Sequence, residues 1–301
     1  VARRCLISYV DRYPYLVATS PDVPVPALSA TGTPVAGFEP AKALEARRST
    51  WWEVPSGGPH TLTLAYATAY EFSDVVAIFA PPGRDFLTAP RVRLRNAAGT
   101  TVFDSSTSFR PPRGLPNQRF FVMPSRTQWR YLDVILGSGD ALAYVRYGWA
   151  MDLTRFAGRL VELSPNDSVV IQEGASSAVF AAPDLTSGRR YLSYRLPLLG
   201  VPMATIERDV QESSTPQLGA LFDMWDRIGK ANTALVLPYA EDNTADPVSI
   251  SLMHATSLCG RLNKDLEFSF EGRATNTEDE AGNPLTDQVL RNVSLSFEGA
   301  F

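Results

Sequence analysis

Histidine and cysteine are almost missing from this 301-residue chain, which holds two of each: His60 and His254, Cys5 and Cys259. Without a CxxC or a Cys/His cluster the usual zinc spacings are excluded. No metal and no cofactor is expected. Two isolated histidines leave little for general acid–base chemistry, and no G-x-S-x-G elbow, phosphate-binding loop or dinucleotide fingerprint occurs. No catalytic residue is therefore assigned, and the chain is expected not to be an enzyme. The cysteines, one near each end, read first as two buried thiols, with a bridge between them as the alternative.

Lysine is scarce as well, three residues against 25 arginines, and the net charge is -4. Neutralising phosphates needs a concentrated Lys/Arg face, so nucleic acid is not an expected partner. Arg91, Arg93 and Arg95 come nearest, but alternate residues form the solvent face of one strand. No apolar run reaches the about twenty residues of a spanning helix, so no membrane span is expected. The opening Val1–Val10 carries two arginines and lacks the sustained apolar core of a signal peptide. The acidic stretches Glu241–Asp246 and Glu278–Glu280 could offer oxygen ligands to Ca²⁺, but they lack the EF-hand pattern and read as solvated turns.

What remains is a globular composition, 45% hydrophobic and 20% charged, organised as strands and turns. The 23 prolines and 20 glycines are scattered as turn punctuation. Prolines in Ser20–Leu28 forbid a central strand there and predict a loop or edge arm. Thr61–Tyr66 alternates, with Leu62, Leu64 and Tyr66 on one face. Ser73–Ala80 is a continuous apolar run closed by Pro81-Pro82-Gly83, the pattern of a strand buried on both faces. Arg91–Arg95 and Thr101–Phe103 form a hairpin pattern, and Arg130–Gly137 and Ala141–Trp149 are separated by a Gly-Ser-Gly-Asp turn.

Such spacing without intervening helices predicts an antiparallel β-sandwich over residues 1–152, N-terminal arm included. Residues 153–301 predict a β-rich domain with one main amphipathic helix near 216–229. Thr215 would cap that helix, Pro216 would open it, and Leu218, Leu221, Phe222, Trp225 and Ile228 would form its apolar stripe. Ser249–Met253, Leu266–Glu271 and Val293–Glu298 read as strands, with His254 at a strand end. The fold class is thus mostly β.

Aromatics supply the candidate binding residues. Trp51 and Trp52, if strand-like, point to opposite faces, so only one need be core and the other could stack on a sugar ring or a neighbouring subunit. Trp129, Tyr131, Tyr147 and Trp149 read first as sandwich core. A sugar site needs an exposed aromatic beside hydrogen-bonding groups, and the candidate set is Trp52 with the loop residues Arg84, Asp85 and Asn96.

The segment Thr50–Leu64, with its tryptophan before a turn and an alternating strand, resembles the opening of galactose-binding-like, discoidin-type jelly rolls. Asp74–Phe79 resembles that family's next buried strand and Arg146–Asp152 its closing strand. The resemblance implies a carbohydrate partner. Where many relatives carry a polar His-Asn element after the second strand, this chain has Ala80-Pro81-Pro82-Gly83, a departure that weakens transfer of that family's ligand site.

The second half is similar to distal and minor tail proteins of the tail tip or baseplate of long-tailed bacteriophages. The similarity lies in the order of Arg189–Leu199, the helix with Leu221–Asp226, Ala234–Tyr239, Cys259–Leu262 and Val293–Glu298. It implies a structural virion protein, assembled in the host cytoplasm, that forms a homo-oligomer (a ring, trimer or hexamer). It would contact other phage tail proteins, linking tail tube to fibres or hub. The alternative is a glycan-binding module of a bacterial protein that is not viral, and a third reading is a hydrolase with the sandwich as accessory domain.

Overall fold

A computed structural model describes residues 4–9, 11, 25–45, 49–67, 71–105, 118–153, 162–167, 169–173, 179–183, 190–202, 221, 224–226, 228, 233–242, 247–262, 267–274, 277–278, 284–285 and 288–299. The first strands are β1 (Arg4–Ser8), β2 (Ala27–Ala30), β3 (Trp52–Glu53), β4 (His60–Ala65), β5 (Glu71–Phe79), β6 (Arg91–Arg95) and β7 (Thr101–Asp104). There follow β8 (Gln118–Trp129), β9 (Tyr131–Leu136), β10 (Ala141–Leu142), β11 (Tyr144–Gly148), β12 (Met151–Asp152), β13 (Glu162–Asp167), β14 (Val169–Glu173) and β15 (Val179–Pro183). The last are β16 (Arg190–Pro202), β17 (Ala234–Ala240), β18 (Leu258–Leu262), β19 (Glu267–Ala274), β20 (Thr277–Glu278), β21 (Pro284–Leu285) and β22 (Gln288–Gly299), with helix α1 (Pro247–Thr256) between β17 and β18.

Two antiparallel sheets make the sandwich: five strands in the order β2-β4-β9-β6-β7, and three in the order β11-β5-β8. Alternation decides which side chains face inward. Leu62, Leu64, Val92, Leu94, Leu132, Val134 and Leu136 of the larger sheet meet Val76, Ile78, Phe121, Met123, Val145 and Tyr147 of the smaller one in a single apolar cluster. Trp129 lies within it, edge-on to both Tyr66 and Tyr147, and donates its indole N–H to Ser73.

The three-stranded sheet is buried on its second face too. Val75, Ala77, Phe79, Phe120, Val122 and Tyr144 point away from the sandwich core into a second cluster with Leu6, Leu235, Leu237, Ile250, Met253 and Cys259. This is why β5 reads as unbroken apolar sequence: one half of its side chains fills the sandwich, the other half joins the sandwich to the rest of the chain.

The partner on that side is an eight-stranded antiparallel sheet, ordered β12-β1-β17-β18-β22-β16-β13 with β19 also on β22. A boundary at residue 152 groups β1 with the sandwich, but β1 hydrogen-bonds to β12 and β17 and is a strand of this second sheet. Arg146, buried on β11, reaches across and donates to the Ser8 carbonyl at 3.1 Å, the Thr233 carbonyl at 2.9 Å and the Thr233 hydroxyl at 2.9 Å. Cys5 and Cys259, on strands flanking β17, are buried and unbridged, and burial, with Asp152 nearby, pushes the Cys5 thiol up to about 12.

Two expectations are corrected. Ser249–Met253 is helical, not a strand: Ile250, Met253 and His254 fall on one side at helical spacing and are buried, while Pro247 stands at the first position. The described residues of the helix expected near 216–229 are helical, with Leu221, Met224 and Ile228 buried, but Trp225, placed in the apolar stripe, is 37% exposed. Thr215, Pro216, Leu218 and Phe222 lie outside the described residues. No helix among the described residues is long and apolar enough to cross a membrane.

Candidate functional site

Three connections meet at one end of the sandwich: residues 54–59 between β3 and β4, 80–90 between β5 and β6, and the 137–140 turn between β9 and β10. Their common anchor is Asp140, which is fully buried. Its carboxylate accepts the Leu87 N–H at 2.5 Å, the Thr88 N–H at 3.3 Å, the Gly137 N–H at 2.9 Å and the Thr88 hydroxyl. Gly137 permits this approach, because a Cβ there would stand 2.2 Å from Thr88 Cγ2. The loop before it turns on Pro82 and Gly83 (φ +73°), closed by the Arg84 N–H to the Pro81 carbonyl at 3.1 Å. Proline then positive-φ glycine is the type II pattern, and its effect is to present Arg84 outward.

Arg84 grips Glu53 with two hydrogen bonds of 2.8 and 3.0 Å and touches the Gly139 carbonyl at 3.3 Å. The same Glu53 carboxylate accepts the indole N–H of Trp51 at 2.8 Å, and the Trp51 ring lies against Phe38 with centroids 5.1 Å apart, tilted by 37°. The Arg84 hydrogen bonds hold the Glu53 carboxyl below its ordinary value, and Glu53 in turn raises the guanidinium. The result is a half-buried pair of rings whose polar neighbours are locked in one geometry. Across the 137–140 turn a groove of about 460 Å³ opens, lined by Gly58, Pro59, Thr88, Pro90, Arg91, Ser105, Leu136 and Gly137 among others.

Of the four residues taken from the sequence, two meet here. Arg84 belongs to the ring platform, and its exposed neighbour Asp85 accepts a hydrogen bond of 2.8 Å from the buried Arg119. Asn96 stands apart: its side chain accepts the Ala98 and Thr100 N–H groups at 3.0 and 2.9 Å and shapes the β6–β7 turn, at the far end of the sheet. Trp52 is 1% exposed in the sandwich core and has no face for a ligand. Its neighbour Trp51, the other ring of the pair, lies on the outward side with Phe38 and Glu53, neither of which the sequence singled out. The signal was available in the period of two: Trp52 and Val54 are buried, so Trp51 shares the outward side with the charged Glu53. Neither histidine joins the platform. His60 opens β4, with Nδ1 3.5 Å from the Thr31 hydroxyl, and His254 is buried on α1. No three His, Cys, Asp or Glu side chains converge as a metal site among the described residues.

No protein-family model matches the chain, and no curated protein matches it. Solved structures with partial likeness do exist. Chitosan-binding module 1 of the chitosanase/glucanase from Paenibacillus sp. IK-5 is 15% identical, covering 41% of this chain and 94% of that one, with a TM-score of 0.33. The family 32 carbohydrate-binding module of C. perfringens NanJ, solved with galactose, is 16% identical over 40% of this chain and 92% of that one, with a TM-score of 0.34. The lectin binding domain of Lectinolysin, solved with Lewis b, is 15% identical over 40% and 90%, also at 0.34. Likenesses of this size leave function to the site itself.

Proposed function

We propose that the protein binds glycans at the loop end of its sandwich, as the carbohydrate-binding module of a larger assembly. The observation that carries this reading is the outward Trp51, packed on Phe38 with Glu53 and Arg84 fastened beside it. An indole face takes the C–H side of a sugar ring, while an adjacent carboxylate and guanidinium accept from and donate to its hydroxyls. Prior locking of these groups lowers the ordering cost of binding. The proposed chemistry is recognition: Arg84 holds the Glu53 carboxyl below its ordinary value, which favours the ionised form that accepts from hydroxyls. The test is a glycan array with the wild-type protein and Trp51→Ala. Binding lost in the variant supports the proposal; an array without any hit, or hits that survive the substitution, overturns it.

A second reading has its own support, in the second half. Val248 is 77% exposed and Leu252, one turn on along α1, is 37% exposed, as is Trp225. Apolar side chains in such positions suit burial against another copy of the chain. On this reading the eight-stranded sheet builds a homo-oligomeric ring of a phage tail tip or baseplate within the virion. It contacts other tail proteins and carries the sandwich rigidly on its flank. Light scattering decides it: concentration-dependent oligomers abolished by Val248→Asp favour assembly, and a monomer at high concentration counts against it.

A further inference from the structure

The arginines of β6 are not used by the loop-end site, yet the sheet register gathers them with a purpose of their own. Arg91, Arg93 and Arg95 project from the outer face of the five-stranded sheet, in line with Ile135, Asp133 and Tyr131 of β9, and Thr61, Thr63 and Ala65 lie one strand further on. Asp133 sits beneath this face at 1% side-chain exposure and accepts from Arg93 at 3.0 Å, Arg95 at 2.8 and 2.9 Å, and the Thr63 hydroxyl at 2.8 Å. Arg91 pairs with Asp104 on β7. Arg95 lies over the Tyr131 ring at 4.8 Å and Arg130 at 5.6 Å, Arg130 being held by the Tyr66 and Ala67 carbonyls.

Among the described residues, four guanidinium groups thus stand around two carboxylates, Asp104 and Asp133. Arg93 and Arg95 both bind Asp133 through Nε and Nη2, which leaves Nη1 of each outside these ion pairs on half-buried side chains. The three β6 arginines recur about every 7 Å along the strand. Against a chain net charge of -4 this is a local reversal of sign, with an aromatic ring at one end. At the other end Arg91 and Ile135 also line the 460 Å³ groove, so the groove opens directly onto the face.

We propose that this face is a second binding surface, taking an acidic polysaccharide whose carboxylates or sulfates pair with the guanidinium groups. A chain-like ligand fits a flat surface continuous with a groove. The spaced charges of a polysaccharide suit an excess of two positive charges on a protein that is negative overall, where a densely charged duplex would be repelled. The surface does not depend on Trp51, which lies outside the five-stranded sheet, so it stands or falls separately from the loop-end reading.

The experiment measures binding of the full chain to polygalacturonate and to heparin oligosaccharides, with neutral dextran and duplex DNA alongside. Arg93→Gln/Arg95→Gln/Asp133→Asn removes the network together, leaving no buried carboxylate stranded, and Arg91→Gln/Arg130→Gln leaves Asp133 fully paired. Each variant is checked for the wild-type unfolding transition. The expected result is binding to at least one acidic polymer, absent for dextran and unchanged in Trp51→Ala. It should weaken about tenfold in either arginine variant and fall as salt rises from about 0.1 to about 1 M, which shortens the screening length from about 10 to about 3 Å. No binding to either acidic polymer, equal binding to dextran, tighter binding to DNA, arginine variants that bind like wild type, or dependence on Trp51 would each overturn the proposal.

Discussion

His254 accepts a hydrogen bond from the backbone N–H of Phe120 through Nε2, at 3.2 Å. The two residues belong to different halves of the molecule, Phe120 to β8 of the sandwich and His254 to α1 on the other side. Nδ1 lies 2.9 Å from the Ile250 carbonyl and is therefore the nitrogen that carries the proton. The imidazole fits here only when neutral. Burial pushes it down to about 4, the Ile250 bond opposes that shift, and Arg119 adds to it.

Acid should therefore weaken the joint between the halves. In the unfolded chain the imidazole titrates near its ordinary 6.5, against about 4 in the fold. Between these values the unfolded state binds more protons, so stability is complete above about pH 6.5, declines as pH falls, and levels off below about 4. The full loss is about 3 kcal/mol. Urea unfolding at intervals from pH 7 to 4 checks this: His254→Gln should be less pH-dependent than wild type over that window, and parallel curves would refute it.

Arg146 is expected to be the strongest single tie across the same interface. Arg146→Met keeps the stem but strands the Ser8 and Thr233 carbonyls in a buried setting, at a cost of roughly 2–4 kcal/mol. Chemical denaturation should show this loss without a change in the glycan-binding profile.

Adjacent tryptophans should behave in opposite ways. Trp52→Ala empties part of the sandwich core and should cost about 3–5 kcal/mol. Trp51→Ala should cost below about 1 kcal/mol yet remove glycan binding. Paired melting and binding measurements on the two variants give the comparison directly.

Asp140→Ala should loosen the loop end as a unit. The Leu87, Thr88 and Gly137 N–H groups lose their acceptor together, at a cost of about 2 kcal/mol. Hydrogen exchange at the Leu87 and Thr88 amides should accelerate, and glycan affinity should fall because Arg84 is no longer held against Glu53. Unchanged exchange at those amides would show that Asp140 does not order the loop.

Much of the sandwich was legible in the sequence because its strands alternate or run apolar without interruption. Leu62 and Leu64, Leu132 and Val134, and the stretch Val75–Phe79 are buried as their patterns require. α1 was misread because Ile250 and Leu252 alternate over a window too short to distinguish periods of 2 and 3.6. The site was half legible. Arg84 and Asp85 follow a Pro-Pro-Gly turn that must lie at the surface, whereas Asn96 looked equally available and proved to cap a turn at the opposite end.

Local residue order, then, determined what one strand or turn can decide: the alternation that gives each sheet an inner face, the punctuation that ends each strand, and the placement of three alternate arginines on one face of β6. Tertiary structure decided everything that depends on residues far apart. It took β1 from the sandwich and paired it with β17, and it covered the second face of β5 with α1 and the large sheet. It buried Trp52 while turning Trp51 toward Phe38, Glu53 and Arg84, and it set Asp133 beneath two arginines. The reason is physical: alternation specifies two opposite faces, but which of them is dry depends on what packs against it.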